Sequence, residues 1–295
     1  MRAVMVFLDP RNDWVFKRVF GSVESTVILL AFLNDLLYAG ERVITQVEIK
    51  DPYLPAQVKD LKDSAVDVRA RLADGSEFLV EMQMYPVAGF PQRVLYNGAK
   101  CIASQLGRGS DYLNVRPVTV IAVGDCQLIW ERGPWRRDFV LGERKTGRPY
   151  PGGGLHFVFL ELPKVDPASL SAGDPMRDWL IFLKNASKWS TVPRSVKNPG
   201  VRRALAMTRK DSLSPAEYQV MSRRELYRID QKNMRLFERQ KGELGTARKI
   251  ARRLLAQGMK PELVAATTDL PLKEVEGLGV KSSAAVKAKS SAPAK

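Results

Sequence analysis

Apolar residues recur every three or four positions between residues 12 and 39, which is the spacing of one face of a helix. Gly21 interrupts this pattern and Gly40 follows it. We therefore predict two short helices, or one bent helix, ending at Gly40. Residues 43–49 predict a strand, and a polar loop containing proline follows at 51–62.

Two runs of alternating apolar and polar residues flank the tripeptide Ala-Asp-Gly at 73–75. A three-residue loop with glycine in its last position is typical of a β-hairpin. This loop places Asp67 opposite Glu81, with Cβ atoms ~5 Å apart, and Gln83 follows on the same face. The other face is apolar on both strands, which supports this register, because a slip by one residue would bury the charges. Its residues are Val66, Val68, Ala70, Leu72, Phe78, Val80, Met82 and Met84.

Downstream segments extend the pattern into a mixed α/β order. A helix is predicted from Pro91 to Gly107, since proline is favoured in the first turn, and the apolar run 117–123 predicts a buried strand. The order up to this point is helix, three strands, helix, strand. Further predicted elements are strands at 127–130, 139–141 and 156–160 and a helix at 175–187.

The region after residue 215 has a different character. Residues 215–257 predict long charged helices with a break at Gly242 and Gly245. Two short helices are predicted to follow at 261–268 and 272–278.

Composition indicates a globular protein, because 45% of its 295 residues are hydrophobic. One histidine and two cysteines, Cys101 and Cys126, exclude a four-ligand structural zinc site, and we interpret both cysteines as core residues. The apolar run 27–33 is too short to span a bilayer. We expect a cytoplasmic protein without a membrane partner.

Positive charge is concentrated in the C-terminal third. The net charge of the chain is +15, and residues 201–295 contain 21 Lys and Arg against 10 Asp and Glu, which is +11. Such an excess favours a polyanionic partner through counterion release, although solubility alone is an alternative explanation. The low-complexity basic tail at 281–295 is predicted to be disordered.

A basic helix face is predicted within this region. Arg248, Lys249, Arg252 and Arg253 recur at four-residue spacing beside apolar residues, so they are candidate nucleic-acid contacts. The apolar side of the same C-terminal helices is a candidate surface for homo-oligomerisation.

Asp67 and Glu81 are candidate ligands of a divalent cation. Phosphodiester hydrolysis uses a cation to polarise the phosphoryl group and to generate a nucleophilic water. Mg²⁺ suits this role because it binds through one or two carboxylates and keeps several waters. Acidic residues on a solvated hairpin face are also ordinary, so the pair alone leaves that alternative open.

A series of short sequence motifs lies between about residues 9 and 188. They are 12–17 with 20–21, 33–34, 64–68, 80–83, Arg93 and Tyr96 with Gln105, 111–112 before 117–118, 160–164, and Trp179 with 182–183. Together they resemble the Rpn family of recombination-promoting nucleases and putative transposases, within the PD-(D/E)xK group. The resemblance implies a restriction-endonuclease-like αβββαβ core with a mixed sheet. It also implies Mg²⁺-dependent endonuclease activity on DNA, with Mn²⁺ as an alternative ion, and a link to recombination or transposition.

Carried onto this chain, the resemblance makes Asp67 and Glu81 the metal-binding acids and places Gln83 at the third motif position. The wider superfamily usually has lysine there, and Rpn-like families tolerate glutamine. Gln83 carries no charge and can orient a partner only by hydrogen bonding.

Two helices contribute further candidates. Asp13 and Lys17 are one helical turn apart, so they either approach the site as a further acid and a phosphate contact or form a surface ion pair. Arg93 and Tyr96 are candidate DNA contacts, with simple packing as the alternative for Tyr96.

We therefore predict a nuclease domain at 1–190, a basic helical region at 191–280 and a disordered tail at 281–295. The leading hypothesis is a DNA endonuclease. The alternatives are a catalytically decayed, transposon-associated DNA-binding protein and a scaffold assembled through the long helices.

Overall fold

The structure is a computed structural model that describes residues 6–54, 63–107, 109–152 and 154–278. Its helices are α1 (Asp13–Phe20), α2 (Thr26–Tyr38), α3 (Phe90–Ala103), α4 (Pro175–Asn185), α5 (Pro199–Met207), α6 (Pro215–Ala256) and α7 (Pro261–Thr268), and residues 272–278 are also helical. Its strands are β1 (Val47–Lys50), β2 (Tyr53–Leu54), β3 (Ser64–Ala65), β4 (Val68–Leu72), β5 (Glu77–Gln83), β6 (Val118–Gly124), β7 (Arg136–Val140) and β8 (Leu155–Glu161).

A six-stranded sheet with the order β1-β4-β5-β6-β8-β7 organises the N-terminal part of the chain. Strands β1, β4 and β5 are antiparallel, whereas β5, β6 and β8 are parallel and β7 runs antiparallel to β8. Helix α3 makes the crossover between the parallel strands β5 and β6, as parallel pairing requires. The predicted αβββαβ order and mixed sheet are confirmed.

The β4–β5 hairpin has the predicted register. Val68 pairs with Val80. The loop closes through a 2.8 Å hydrogen bond from the Leu72 amide to the Ser76 carbonyl. Gly75 has a φ of +87°, the left-handed conformation that this loop position requires and that glycine adopts without strain.

The first hairpin strand is not continuous, and Val66 lies on the other face from the one predicted. The chain bends at Asp67, between β3 and β4, and β3 pairs with β2 in a separate two-stranded ladder. The Val66 amide donates to the carbonyl of Pro52, 3.1 Å away, which holds this segment outside the main sheet. Val66 therefore packs beneath α3, whereas Val68 packs on the opposite face.

Hydrophobic clusters cover both faces of the sheet. Helices α1, α2, α4 and α5 pack on one face, around the aromatic side chains of Phe16, Phe20, Phe32, Trp179 and Phe182. Helix α3 packs on the other face through Phe90, Val94 and Cys101. The hairpin face that carries Glu81 is thus covered by α3, and the alternative of a solvated acidic face is wrong.

In two segments predicted as strands, side chains make the hydrogen bonds to the backbone that a neighbouring strand would otherwise make. Residues 127–130 do not form a strand, because the amides of Leu128 and Ile129 donate to Glu161 Oε1 at 2.8 and 3.3 Å. Strand β1 begins only at Val47, since the Asn34 side chain satisfies both backbone groups of Ile44 at 2.8 Å. A sequence pattern does not reveal such pairings.

The predicted break at Gly242 and Gly245 is wrong, because α6 runs through both residues. A glycine in a helix interior costs about 1 kcal/mol relative to alanine, which flanking helix formers offset. An ion pair of 2.8 Å between Arg239 and Glu243, four residues apart, further supports this stretch.

The chain divides into two compact units, Met1–Met221 and Ser222–Lys295. In the second unit, the end of α6, α7 and residues 272–278 share a small apolar core. Its buried members are Ala251, Val264, Leu270, Val275 and Leu278. The functional boundary at residue 190 stays a prediction, and the predicted disordered tail at 281–295 lies outside the described residues.

Across the described ranges, no single helix is long and apolar enough to cross a bilayer. One bent pair, Asp13–Phe20 with Val23–Tyr38, meets the length and composition criteria in combination.

Candidate active site

Helix α1 brings Asp13 and Lys17 to Asp67. The Asn12 side chain accepts a 3.0 Å hydrogen bond from the Trp14 amide, which caps the helix and fixes where it begins. Lys17 Nζ lies 2.8 Å from Asp13 Oδ1 and 3.2 Å from Asp67 Oδ1. Asp13 and Lys17 therefore form an ion pair beside Asp67, and their roles as a further acid and a phosphate contact stay predictions.

Asp67 lies at the bend before β4, next to the central strand. Its Oδ2 accepts a 2.8 Å hydrogen bond from the amide of Met82, the residue after Glu81. Burial raises the pKa of Asp67 to about 7, and the Met82 amide and the Lys17 ammonium limit this rise. For Lys17 itself, burial lowers the pKa, but Asp13 and Asp67 outweigh it and the pKa is raised.

Glu81 is only 4% exposed and is held by two residues of α3. Asn97 Nδ2 donates to Glu81 Oε1 at 2.7 Å. Arg93 Nη2 lies 3.2 Å from Glu81 Oε2. Since Arg93 and Asn97 are four residues apart, they lie on the same face of the helix.

Gln83 is neutral but has a cation beside it. Its Oε1 accepts a 2.9 Å hydrogen bond from Arg93 Nη2, and its Nε2 donates to the carbonyl of Tyr85 at 2.7 Å. The Arg93 guanidinium thus contacts both Glu81 and Gln83. The site therefore has a positive charge next to the motif position that usually carries lysine.

Tyr96 and Lys100 continue along α3. Lys100 Nζ lies 5.6 Å from the centre of the Tyr96 ring, within the range of a cation–π interaction. Lys100 is buried, and its Nζ is 3.5 Å from Ser64 Oγ. This packing accounts for the position of Tyr96, and its contact with DNA stays a prediction.

Asn97 and Lys100 lie near the candidate site on α3 and were not predicted from the sequence. They follow Arg93 by four and seven residues, so helical spacing alone places them on its face. Nothing in the sequence indicated that this face covers Glu81.

The donor set suits a hard divalent cation. Among the described residues, no group of three or more His, Cys, Asp or Glu side chains forms a ready metal cage. Mg²⁺ does not need one, because one or two carboxylates suffice when waters and substrate oxygens complete its shell. In this structure Lys17 lies at Asp67 and Arg93 at Glu81, so each carboxylate already faces a positive group that an ion can replace.

The four C-terminal candidates are exposed on α6, within the second unit. Of these, Arg248 pairs with Glu274 at 2.5 Å. Ala251 is buried on the other side of the helix, and Ile250 is exposed. The contact of Arg248, Lys249, Arg252 and Arg253 with nucleic acid stays a prediction.

The fold is a nuclease-like α/β fold of the restriction-endonuclease class. It has a mixed sheet whose antiparallel hairpin carries the acidic residues, with α1 beside this hairpin and α3 packed over the sheet. A family model described as PD-(D/E)XK nuclease family transposase matches residues 10–235. The match covers most of the chain, and the protein belongs to this family. Its membership indicates a nuclease linked to transposition, with DNA as substrate and, typically for such nucleases, dependence on a divalent metal. No curated protein and no solved structure matches the chain.

Proposed function

We propose that the protein is a Mg²⁺-dependent DNA endonuclease, able to use Mn²⁺, that hydrolyses phosphodiester bonds in recombination or transposition, as in the Rpn-like families. The observation that supports this proposal is the set of contacts made by the two acidic residues at the β4–β5 hairpin. There Asp67 bonds to the amide that follows Glu81, and each acid faces a cation from a different helix. Adjacent acids with exchangeable positive partners are suited to share a divalent ion.

In this proposal Asp67 and Glu81 hold the ion, which, when bound, polarises the phosphoryl group and supplies a nucleophilic water. Arg93 has a half-exposed side chain and a planar fork of donors, so it is suited to contact a phosphate oxygen. Gln83 orients Arg93 through its carbonyl oxygen. Asp13 holds Lys17 next to Asp67, where the ammonium offers a second phosphate contact.

DNA affinity is assigned mainly to the exposed basic face of α6, formed by Arg248, Lys249, Arg252 and Arg253. Four exposed cations on one helix neutralise phosphates without reading sequence. Lys17, Arg93 and Tyr96 then contact DNA near the scissile bond. This activity fits the cytoplasmic location predicted from the sequence.

We further infer that a second copy of the chain pairs with α6. Ile229 and Leu236 are exposed and seven residues apart, and Leu226 and Phe237 are exposed nearby. A seven-residue spacing keeps apolar side chains along one seam between two helices. Light scattering on wild type and Leu236→Lys tests this inference, since we expect a dimer and a monomer respectively. An identical mass for both contradicts it.

Incubation of supercoiled plasmid with the purified chain in Mg²⁺, Mn²⁺ or EDTA tests the main proposal. We expect nicking with either ion and none in EDTA. DNA binding without cleavage in any ion would instead support the decayed, transposon-associated DNA-binding protein.

A further inference from the structure

Asn97 holds one specific oxygen of Glu81. It is fully buried in α3, and its Nδ2 donates to Glu81 Oε1 at 2.7 Å. The reverse amide orientation would bring two acceptors, Asn97 Oδ1 and the carboxylate, into contact. The hydrogen bond therefore fixes both the amide and the carboxylate.

This hydrogen bond is not explained by packing alone. Asn97 Oδ1 is buried and has no hydrogen-bond partner in the part of the chain that the structure describes. An unpaired buried acceptor destabilises a fold, so the amide at this position is explained by its bond to Glu81 and not by apolar packing. Asn34 provides the contrast, since both ends of its buried amide are paired with the backbone of Ile44.

The two oxygens of Glu81 differ in their partners. Oε1 accepts from Asn97, a side chain that is fully buried in α3. Oε2 faces Arg93, whose side chain is 47% exposed and can exchange its partner for water or phosphate. Oε2 is therefore the oxygen that is open to a new ligand.

We propose that Asn97 is a positioning residue that holds Glu81 Oε1 so that Oε2 is presented to the divalent cation, with Arg93 as the exchangeable partner of Oε2. This inference rests on the proposed function in taking Glu81 as a metal ligand. Without Asn97, both oxygens of Glu81 can turn to the Arg93 guanidinium as a bidentate pair. That pair competes with the incoming cation.

Mn²⁺ binding to the full chain, measured by calorimetry and by the electron spin resonance of free Mn²⁺, tests this role without any cleavage assay. We expect Asn97→Leu to weaken Mn²⁺ binding about 10- to 100-fold, the usual effect of losing a partner that orients a ligand. Arg93→Met should bind Mn²⁺ at least as tightly as wild type. The double variant should recover part of the affinity lost in Asn97→Leu, because the competing guanidinium is gone.

Asn34→Leu is the matched control, since it removes a buried asparagine far along the chain from the site. We expect it to lower thermal stability and to leave Mn²⁺ affinity unchanged. Should Asn97→Leu fail to fold, Asn97→Ser removes the same amide with a smaller change in volume.

The outcomes are distinct. Wild-type Mn²⁺ affinity in a folded Asn97 variant overturns the positioning role alone. An equal loss of affinity in Asn34→Leu, or a loss that Arg93→Met does not relieve, also overturns it, because global destabilisation then explains the effect. A wild-type chain that binds no Mn²⁺ overturns both this inference and the proposed metal chemistry.

Discussion

The Asp67 carboxylate accepts a hydrogen bond from the amide of Met82, which directly follows Glu81 in the central strand. The side chain of the first acid is thereby tied to the backbone beside the second, across a bend that interrupts their hairpin. A short carboxylate–amide bond of this kind orients Asp67 without using the charge of a cation. In the proposed metal site, Lys17 and Arg93 are the groups that a metal ion would displace.

Cleavage should depend on pH through Asp67. Burial raises the pKa of this carboxyl to about 7, and a carboxylate must be deprotonated to bind a metal ion. Below pH 7 we expect the Mg²⁺ concentration for half-maximal nicking to rise by up to roughly tenfold per pH unit. Nicking measured against Mg²⁺ concentration at several pH values between 5.5 and 8.5 checks this. A half-maximal concentration that does not change with pH would contradict it.

The same pKa predicts how stability changes without metal. When folding raises the pKa of a carboxyl, the folded state favours its protonated form. The contribution of Asp67 to the free energy of unfolding is therefore fully present below the pKa of the unfolded state, and it is lost as pH rises through about 7. Asp67→Asn keeps the acceptor for Met82 but has no proton to lose. In EDTA, the free energy of unfolding of the variant relative to wild type should therefore increase by about 3 kcal/mol between pH 5 and pH 8. Denaturant unfolding at the two pH values measures the difference in the free energy of unfolding between variant and wild type. The same difference at both pH values would show that burial does not raise the pKa of Asp67.

Glu81 and Gln83 should differ in their effect on rate. Glu81→Ala removes a proposed metal ligand and the carboxylate partner of Arg93, so we expect a loss of about 1,000-fold or more in single-turnover cleavage. Gln83→Ala removes one neutral hydrogen bond to Arg93, for which about tenfold is expected. DNA affinity in EDTA should stay near wild type for both variants. Equal losses of rate would place Gln83 in a more direct role than orientation of Arg93.

The basic face of α6 should determine the salt dependence of DNA binding. Replacing Arg248, Lys249, Arg252 and Arg253 by alanine keeps the helix, since all four are exposed and alanine favours helices. Each lost phosphate contact should lower the slope of log affinity against log salt by about 0.9. Fluorescence anisotropy over a range of salt concentrations measures this slope. An unchanged slope would assign the basic residues to solubility or assembly.

The sequence predicted the parts of the fold that local chemistry determines. The loop at 73–75 specifies a turn type, and the turn specifies the register that pairs Val68 with Val80. Asp67 lies at the bend just before this ladder and accepts from the amide that follows Glu81. The helices on either side of Gly21 follow from their apolar spacing in the same way.

Features that depend on distant partners were beyond the sequence. Val66 fits the alternation of apolar and polar residues in the sequence of its strand. In the structure its amide donates to the carbonyl of Pro52, and its side chain packs on the face of the sheet covered by α3. Asn97 is an ordinary polar residue in its helix until α3 is placed over β5 and its amide meets Glu81. Both depend on how elements pack together, which periodicity within one element does not encode.

The central claim is that Asp67 and Glu81 form a metal-dependent DNA-cleaving site. Its most direct test compares wild type with Asp67→Ala, purified in parallel, on supercoiled plasmid in Mg²⁺ or EDTA, with nicking followed across each chromatographic fraction. We predict that nicking follows the wild-type protein peak in Mg²⁺, is lost in EDTA and is absent throughout the Asp67→Ala peak. Nicking of equal strength in the two peaks would show that the cleavage does not come from this site and would contradict the claim.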